Sequence, residues 1–70
     1  MYEKQFVAGL EKVIAERGLK KKAVAEKANI RADKFSKILR GKNRMFAEEM
    51  AGICNALDMT VEEVMEKGVN

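Results

Sequence analysis

The sequence predicts an all-α fold of five helices, and three observations predict it. Proline is absent and glycine occupies only five of 70 positions, which suits helices joined by short connections. Apolar residues recur at helical rather than alternating spacing along most of the chain. Residues 20–44 divide into two short amphipathic helices on either side of Asn29-Ile30, a pair that reads as a helix-turn-helix unit over about residues 21–40.

The first helix is expected from about 3 to 17. Phe6, Leu10, Val13 and Ile14 fall at i, i+4, i+7 and i+8 and make one apolar stripe. Gly18 stands where a left-handed C-cap would end it, and Leu19 is expected to tuck under the fold. Helix two, about 21–28, carries Val24, Ala25 and Ala28 on one face. Asn29 suits the turn that follows, because Asn tolerates the left-handed region better than most residues. Helix three, about 32–40 and closed by Gly41, has two faces. Phe35, Ile38 and Leu39 are apolar, whereas Asp33, Ser36, Lys37 and Arg40 recur on the opposite side. Such a second helix can enter a DNA major groove. Lys42, Asn43 and Arg44 make a polar loop. Helix four, about 47–57, is expected to bury Met50, Ile53, Cys54 and Leu57, with Glu48 and Glu49 at the positive end of its dipole. The last helix starts near Thr60, an N-cap with Glu63 placed for a capping box, and presents Val61, Val64 and Met65.

Seventy residues make one domain, 1–70, with little core to spare and no room for a second catalytic or sensing unit. No apolar run reaches the length of a membrane span, and the charged, helical N-terminus does not read as a signal peptide. One cysteine and no histidine leave no intrachain disulfide and no zinc finger. Cys54 is expected as a small core residue and the five methionines as gap-fillers. No histidine, paired core carboxylates or glycine-rich phosphate loop supports an enzyme. A cytoplasmic protein with no cofactor, no metal and no evident small-molecule ligand is the expectation.

Charge is unevenly spread. Within residues 20–44, ten basic residues against Glu26 and Asp33 leave +8, whereas residues 45–70 carry −5 and residues 1–19 balance. A charge run by itself is usually a solvated face. Coinciding with the polar side of a helix-turn-helix, it is a credible electrostatic footprint for phosphate.

The run LKKKAVAEKANIRADKFSKILRGKNR, followed by MAGICNALDM, resembles the phage-repressor helix-turn-helix family, the Cro/cI or XRE type. The resemblance extends from Phe6 to Met65. Its anchors are Leu19, Ala25, Ile30, Ile38, Gly41, Ile53, Ala56 and Leu57, and they count as a set in register rather than singly. It implies a compact lambda-repressor-like domain of five helices that binds double-stranded operator DNA as a two-fold dimer, and the small apolar patch of Phe46, Val61 and Val64 makes the expected homodimer a weak one. Several positions depart from the family pattern. Lys20 replaces the Ser or Thr that caps helix two, Asn29 replaces the turn glycine, and Ile14 and Leu39 stand where an Arg–Glu pair is common. Met45 and Phe46 stand where relatives have Pro and Ser or Thr.

Carried over by position, the resemblance implies base reading by Ala32, Asp33 and Lys37, with Arg31, Lys34 and Ser36 beside them. Lys37 could donate to a guanine and Asp33 could accept from a cytosine; Asp33 could equally just stabilise the helix dipole. Phosphate contacts would come from Lys21, Lys22, Arg40, Lys42, Asn43 and Arg44, although the lysine run at 20–22 could instead be an ordinary solvated stretch. Phe46 either staples helix four to the core or joins Val61 and Val64 in a dimer patch. The leading function is a sequence-specific DNA-binding transcription regulator, a repressor from a prophage or other mobile element. The alternative, from a different class, is an antitoxin-like or other protein-interaction module using its acidic C-terminal half.

Overall fold

The computed structural model describes residues 2–69. Five helices follow in order: α1 (Tyr2–Arg17), α2 (Lys21–Lys27), α3 (Ala32–Leu39), α4 (Ala47–Leu57) and α5 (Val61–Val69). All five expected elements are present, each within about one residue of its expected bounds.

One device ends four of them. At Gly18, Asn29, Gly41 and Asp58 the backbone turns left-handed, with φ of 64°, 61°, 73° and 57°. The N–H one residue further then reaches back five residues. Leu19 donates to Ile14 O (2.9 Å), Ile30 to Ala25 O (2.9 Å), Lys42 to Lys37 O (2.8 Å) and Met59 to Cys54 O (3.0 Å). These bonds satisfy carbonyls that a helix end otherwise leaves open. The expected stops at Gly18, Asn29 and Gly41 are of this kind. Asp58 performs the same task unforeseen, being one of the few non-glycine types that enter this region at low cost. At the start of α5, Thr60 and Glu63 form the full capping box: Thr60 N–H donates to Glu63 Oε1 (2.8 Å) and Glu63 N–H to Thr60 Oγ1 (3.1 Å).

The core is assembled from every helix. Phe6, Leu10, Val13, Phe35, Ile38, Ile53, Leu57 and Val64 are all at most 1% exposed, and no polar or charged residue is buried among those described. Ile14 and Leu39 are both buried in this cluster, so apolar packing occupies the place of the ion pair common in the resembled family. A buried ion pair often does no better than well-packed apolar groups, so that exchange need not weaken the fold. Three expectations are revised. Leu19 remains 36% exposed instead of tucking under the fold, Met50 is only partly buried against the core, and Val64 is wholly inside it.

Close helix crossings hold the bundle. A Cβ on Gly9 of α1 would overlap the Val64 carbonyl of α5, and one on Gly68 would overlap the Gln5 carbonyl of α1. One on Gly52 of α4 would stand 2.7 Å from the Ala28 carbonyl oxygen at the end of α2. Two side chains join the elements further: Gln5 Nε2 donates to Met65 O (3.0 Å) and Arg17 Nη1 to Leu57 O (2.8 Å). α1 and α5 thus form a clasp on which α3 rests through α1, while α2 packs between α3 and α4.

Candidate nucleic-acid interface

The outer face of α3 follows from its apolar face. Phe35, Ile38 and Leu39 are buried, which leaves Asp33, Ser36, Lys37 and Arg40 on the solvent side, all exposed. Before this helix, Arg31 is extended (φ −62°, ψ 142°) and its side chain caps nothing. Its Nε instead lies 3.4 Å from Asp33 Oδ1, with both side chains well exposed. An exposed pair of this kind contributes at most about 1 kcal/mol, so a stronger partner could separate it.

After α3 the chain turns at Gly41 and runs through Lys42, Asn43 and Arg44, all exposed. Met45 then anchors this loop: its side chain is buried, and its N–H donates to Glu3 Oε2 at 3.0 Å. The loop that carries three expected phosphate ligands is therefore tied to the first turn of α1. At the other side of the unit, Lys20 precedes α2 without a side-chain cap, as its chemistry requires. Lys21 approaches Glu11 at 3.8 Å, and Lys22 is exposed.

Charge bookkeeping distinguishes this surface from the remainder. Of the ten basic residues between 20 and 44, only Lys21, Arg31 and Lys34 form an ion pair among the described residues. Lys20, Lys22, Lys37, Arg40, Lys42 and Arg44 all stand exposed on or beside the helix-turn-helix with no such partner. Elsewhere Arg17 and Lys67 are spent on the fold, the first on Leu57 O and the second on Glu16 Oε1 (2.9 Å). Unneutralised cations gathered within one helix-turn-helix unit raise the local potential toward an anionic polymer.

Lys34 departs from its expected role. Its Nζ forms an ion pair with Glu49 Oε2 of α4 and lies 4.9 Å from the centre of the Phe46 ring. Glu49 Oε1 also accepts from Phe46 N–H at 2.9 Å. Partial burial pushes the Glu49 carboxyl up, but the bonds from Lys34 and Phe46 and the Lys34 charge outweigh it and hold the group below its ordinary range. Lys34 thus joins α3 to α4.

The expected dimer patch loses one of its three members. Val64 has no exposed area, so it packs in the core and cannot pair subunits. Phe46 precedes α4 at its N-cap, whereas Val61 opens α5 and is itself partly buried against the core. Phe46 does not staple α4 to the core either, being 64% exposed. Cys54 is buried as expected, and desolvation raises its thiol pKa, which makes it a poor nucleophile. Glu3, Glu49 and Phe46 are the interface-supporting residues that spacing did not reveal. Glu3 holds Met45 in the loop before α4, and Glu49 and Phe46 both meet Lys34 of α3; only the Glu49–Phe46 bond, within the start of α4, had a local signal.

This face and fold are those of a helix-turn-helix DNA-binding domain. Residues 9–67 match the Cro/C1-type HTH DNA-binding domain, and the chain belongs to that family. The family is one of DNA-binding domains and not of enzymes. The fold is similar to that in the crystal structure of the clp gene regulator ClgR from Corynebacterium glutamicum, with a TM-score of 0.84 over 99% of this chain and 90% of that one at 23% identity. A second crystal structure of ClgR gives 0.85 over 99% of this chain and 73% of that one, also at 23% identity. Comparison with curated proteins gave no match. Among the described residues no helix is long and apolar enough to cross a membrane, and no group of His, Cys, Asp and Glu is placed to hold a metal ion.

Proposed function

We propose that the protein is a sequence-specific transcription regulator of the cytoplasm that reads operator DNA with α3 in the major groove. The observation that carries this reading is the set of exposed, unpaired cations around the outer face of α3. Lys37, Ser36 and Asp33 with Arg31 and Ala32 face the bases, while Lys21, Lys22, Arg40, Lys42, Asn43 and Arg44 hold phosphates. Its Cro/C1 character supports the narrower reading as a repressor from a prophage or other mobile element. If about five phosphates are neutralised per subunit, a bound dimer has a slope of log affinity against log salt near −9. Titration of a labelled duplex across a salt series measures it; a slope shallower than about −2 overturns groove binding.

Pairing of subunits is weak in solution in this proposal and tightens on DNA. The exposed large apolar side chains, Leu19, Phe46 and Val69, belong to different parts of the chain and supply no extensive apolar interface. A palindromic site with half-sites about one helical turn apart should therefore shift sedimentation from monomer to dimer. A strict monomer with a single half-site footprint on that duplex counts against it.

A second reading has one observation in its favour: Glu48, Asp58, Glu62 and Glu66 are exposed on the C-terminal half and form no ion pair among the described residues. They suit a basic protein partner of the antitoxin-like kind. Tight binding to the product of a neighbouring gene together with weak duplex binding would favour it over the regulator.

A further inference from the structure

Phe46 is an aromatic ring that the fold holds in solvent beside α3. It is 64% exposed, yet Glu49 fixes its backbone N–H and the Lys34 ammonium lies over its ring. Lys34 spends its charge on Glu49, so this flank of α3 presents an apolar ring instead of a cation. At 3.6 residues per turn, Lys34 stands about 100° round the helix from Asp33 and in its first turn. With α3 in the groove, the first turn is the part expected nearest the base edges. A ring whose backbone is already fixed there loses less conformational freedom on contact than one on a free loop. A duplex offers it two apolar partners, deoxyribose and the thymine C5-methyl group, and only the methyl carries sequence information.

We propose that Phe46 is a specificity-determining residue that packs on the C5-methyl of a thymine at one flank of each half-site. The proposal rests on the reading of α3 as the groove helix. The test takes the best duplex from a selection on random DNA and replaces each thymine in turn by deoxyuracil, which removes the methyl and nothing else. Wild-type affinity should fall roughly fourfold at one thymine per half-site, the worth of one buried methyl group. Phe46→Ala should bind the thymine and uracil forms of that position equally, with its salt slope unchanged, and Phe46→Leu should retain part of the preference. Because the ring is exposed, its loss leaves the core untouched, and circular dichroism checks that both variants fold. A thymine preference that survives Phe46→Ala overturns the proposal. So does a variant whose only defect is weaker self-association, since the ring then meets protein. Absence of wild-type binding to any selected duplex is a different failure, that of the groove reading itself.

Discussion

Gly9→Ala is expected to destabilise the domain by about 1–3 kcal/mol, the cost of forcing an extra carbon into a packed interior. Intrinsic preference predicts the opposite sign, since alanine is the better helix former by roughly 1 kcal/mol. The contact decides the sign. The new Cβ would overlap the Val64 carbonyl, which is backbone and cannot rotate away, so α5 must move off α1. In a domain of this size the loss corresponds to a fall in melting temperature of roughly 5–20 °C. Thermal unfolding followed by circular dichroism measures it, with Ala8→Gly on the exposed side of the same helix as the control for propensity alone. A midpoint equal to or above wild type would show that α1 and α5 can part at this crossing without cost.

Lys37→Ala and Arg44→Ala are expected to weaken DNA binding in two different ways. Both side chains are exposed and unpaired, so neither substitution should disturb the fold. Lys37 projects from the outer face of α3, and loss of a base contact costs about 1–3 kcal/mol at one base position and relaxes the preference there. Arg44 stands in the loop that Met45 and Glu3 anchor. Loss of a phosphate contact weakens all sequences alike and reduces the salt slope by about one unit. Binding of each variant to the best site and its single-base variants, across a salt series, separates the two. An altered base preference in Arg44→Ala with none in Lys37→Ala would mean that α3 is wrongly placed. No change in either would leave the basic segment a solvated surface and favour the protein-partner reading.

The helices were legible because their signals are local. Spacing of Phe6, Leu10, Val13 and Ile14, the stops at Gly18, Asn29 and Gly41, and the Thr60–Glu63 box all act within one or two turns. What spacing could not supply was the identity of partners. The stripe Val61, Val64 and Met65 reads the same whether it faces a core or a second subunit, and the core claims Val64. Lys34 belongs equally well to a groove-facing set until Glu49, on another helix, takes its charge. Gly9, Gly52 and Gly68 carried no signal beyond conformational freedom. Their use is in close approach of backbones, a relation between residues far apart in sequence. The α3 outer face was legible to the extent that its opposite face was apolar. Its supports at Glu3 and Glu49 were not.

The α1–α5 crossing has an entropic consequence. The hydrogen bond from Gln5 to Met65 joins residues 60 apart, whereas the contacts within the helix-turn-helix are local. Closing so long a loop carries a chain-entropy cost that contacts between sequence neighbours avoid. The α1–α5 contacts therefore carry a larger loop-closure cost than those between α2 and α3. Loss of either terminal helix would open the clasp that α1 and α5 form. The outer face of α3 then rests, through α1, on a junction to which none of its exposed residues contributes.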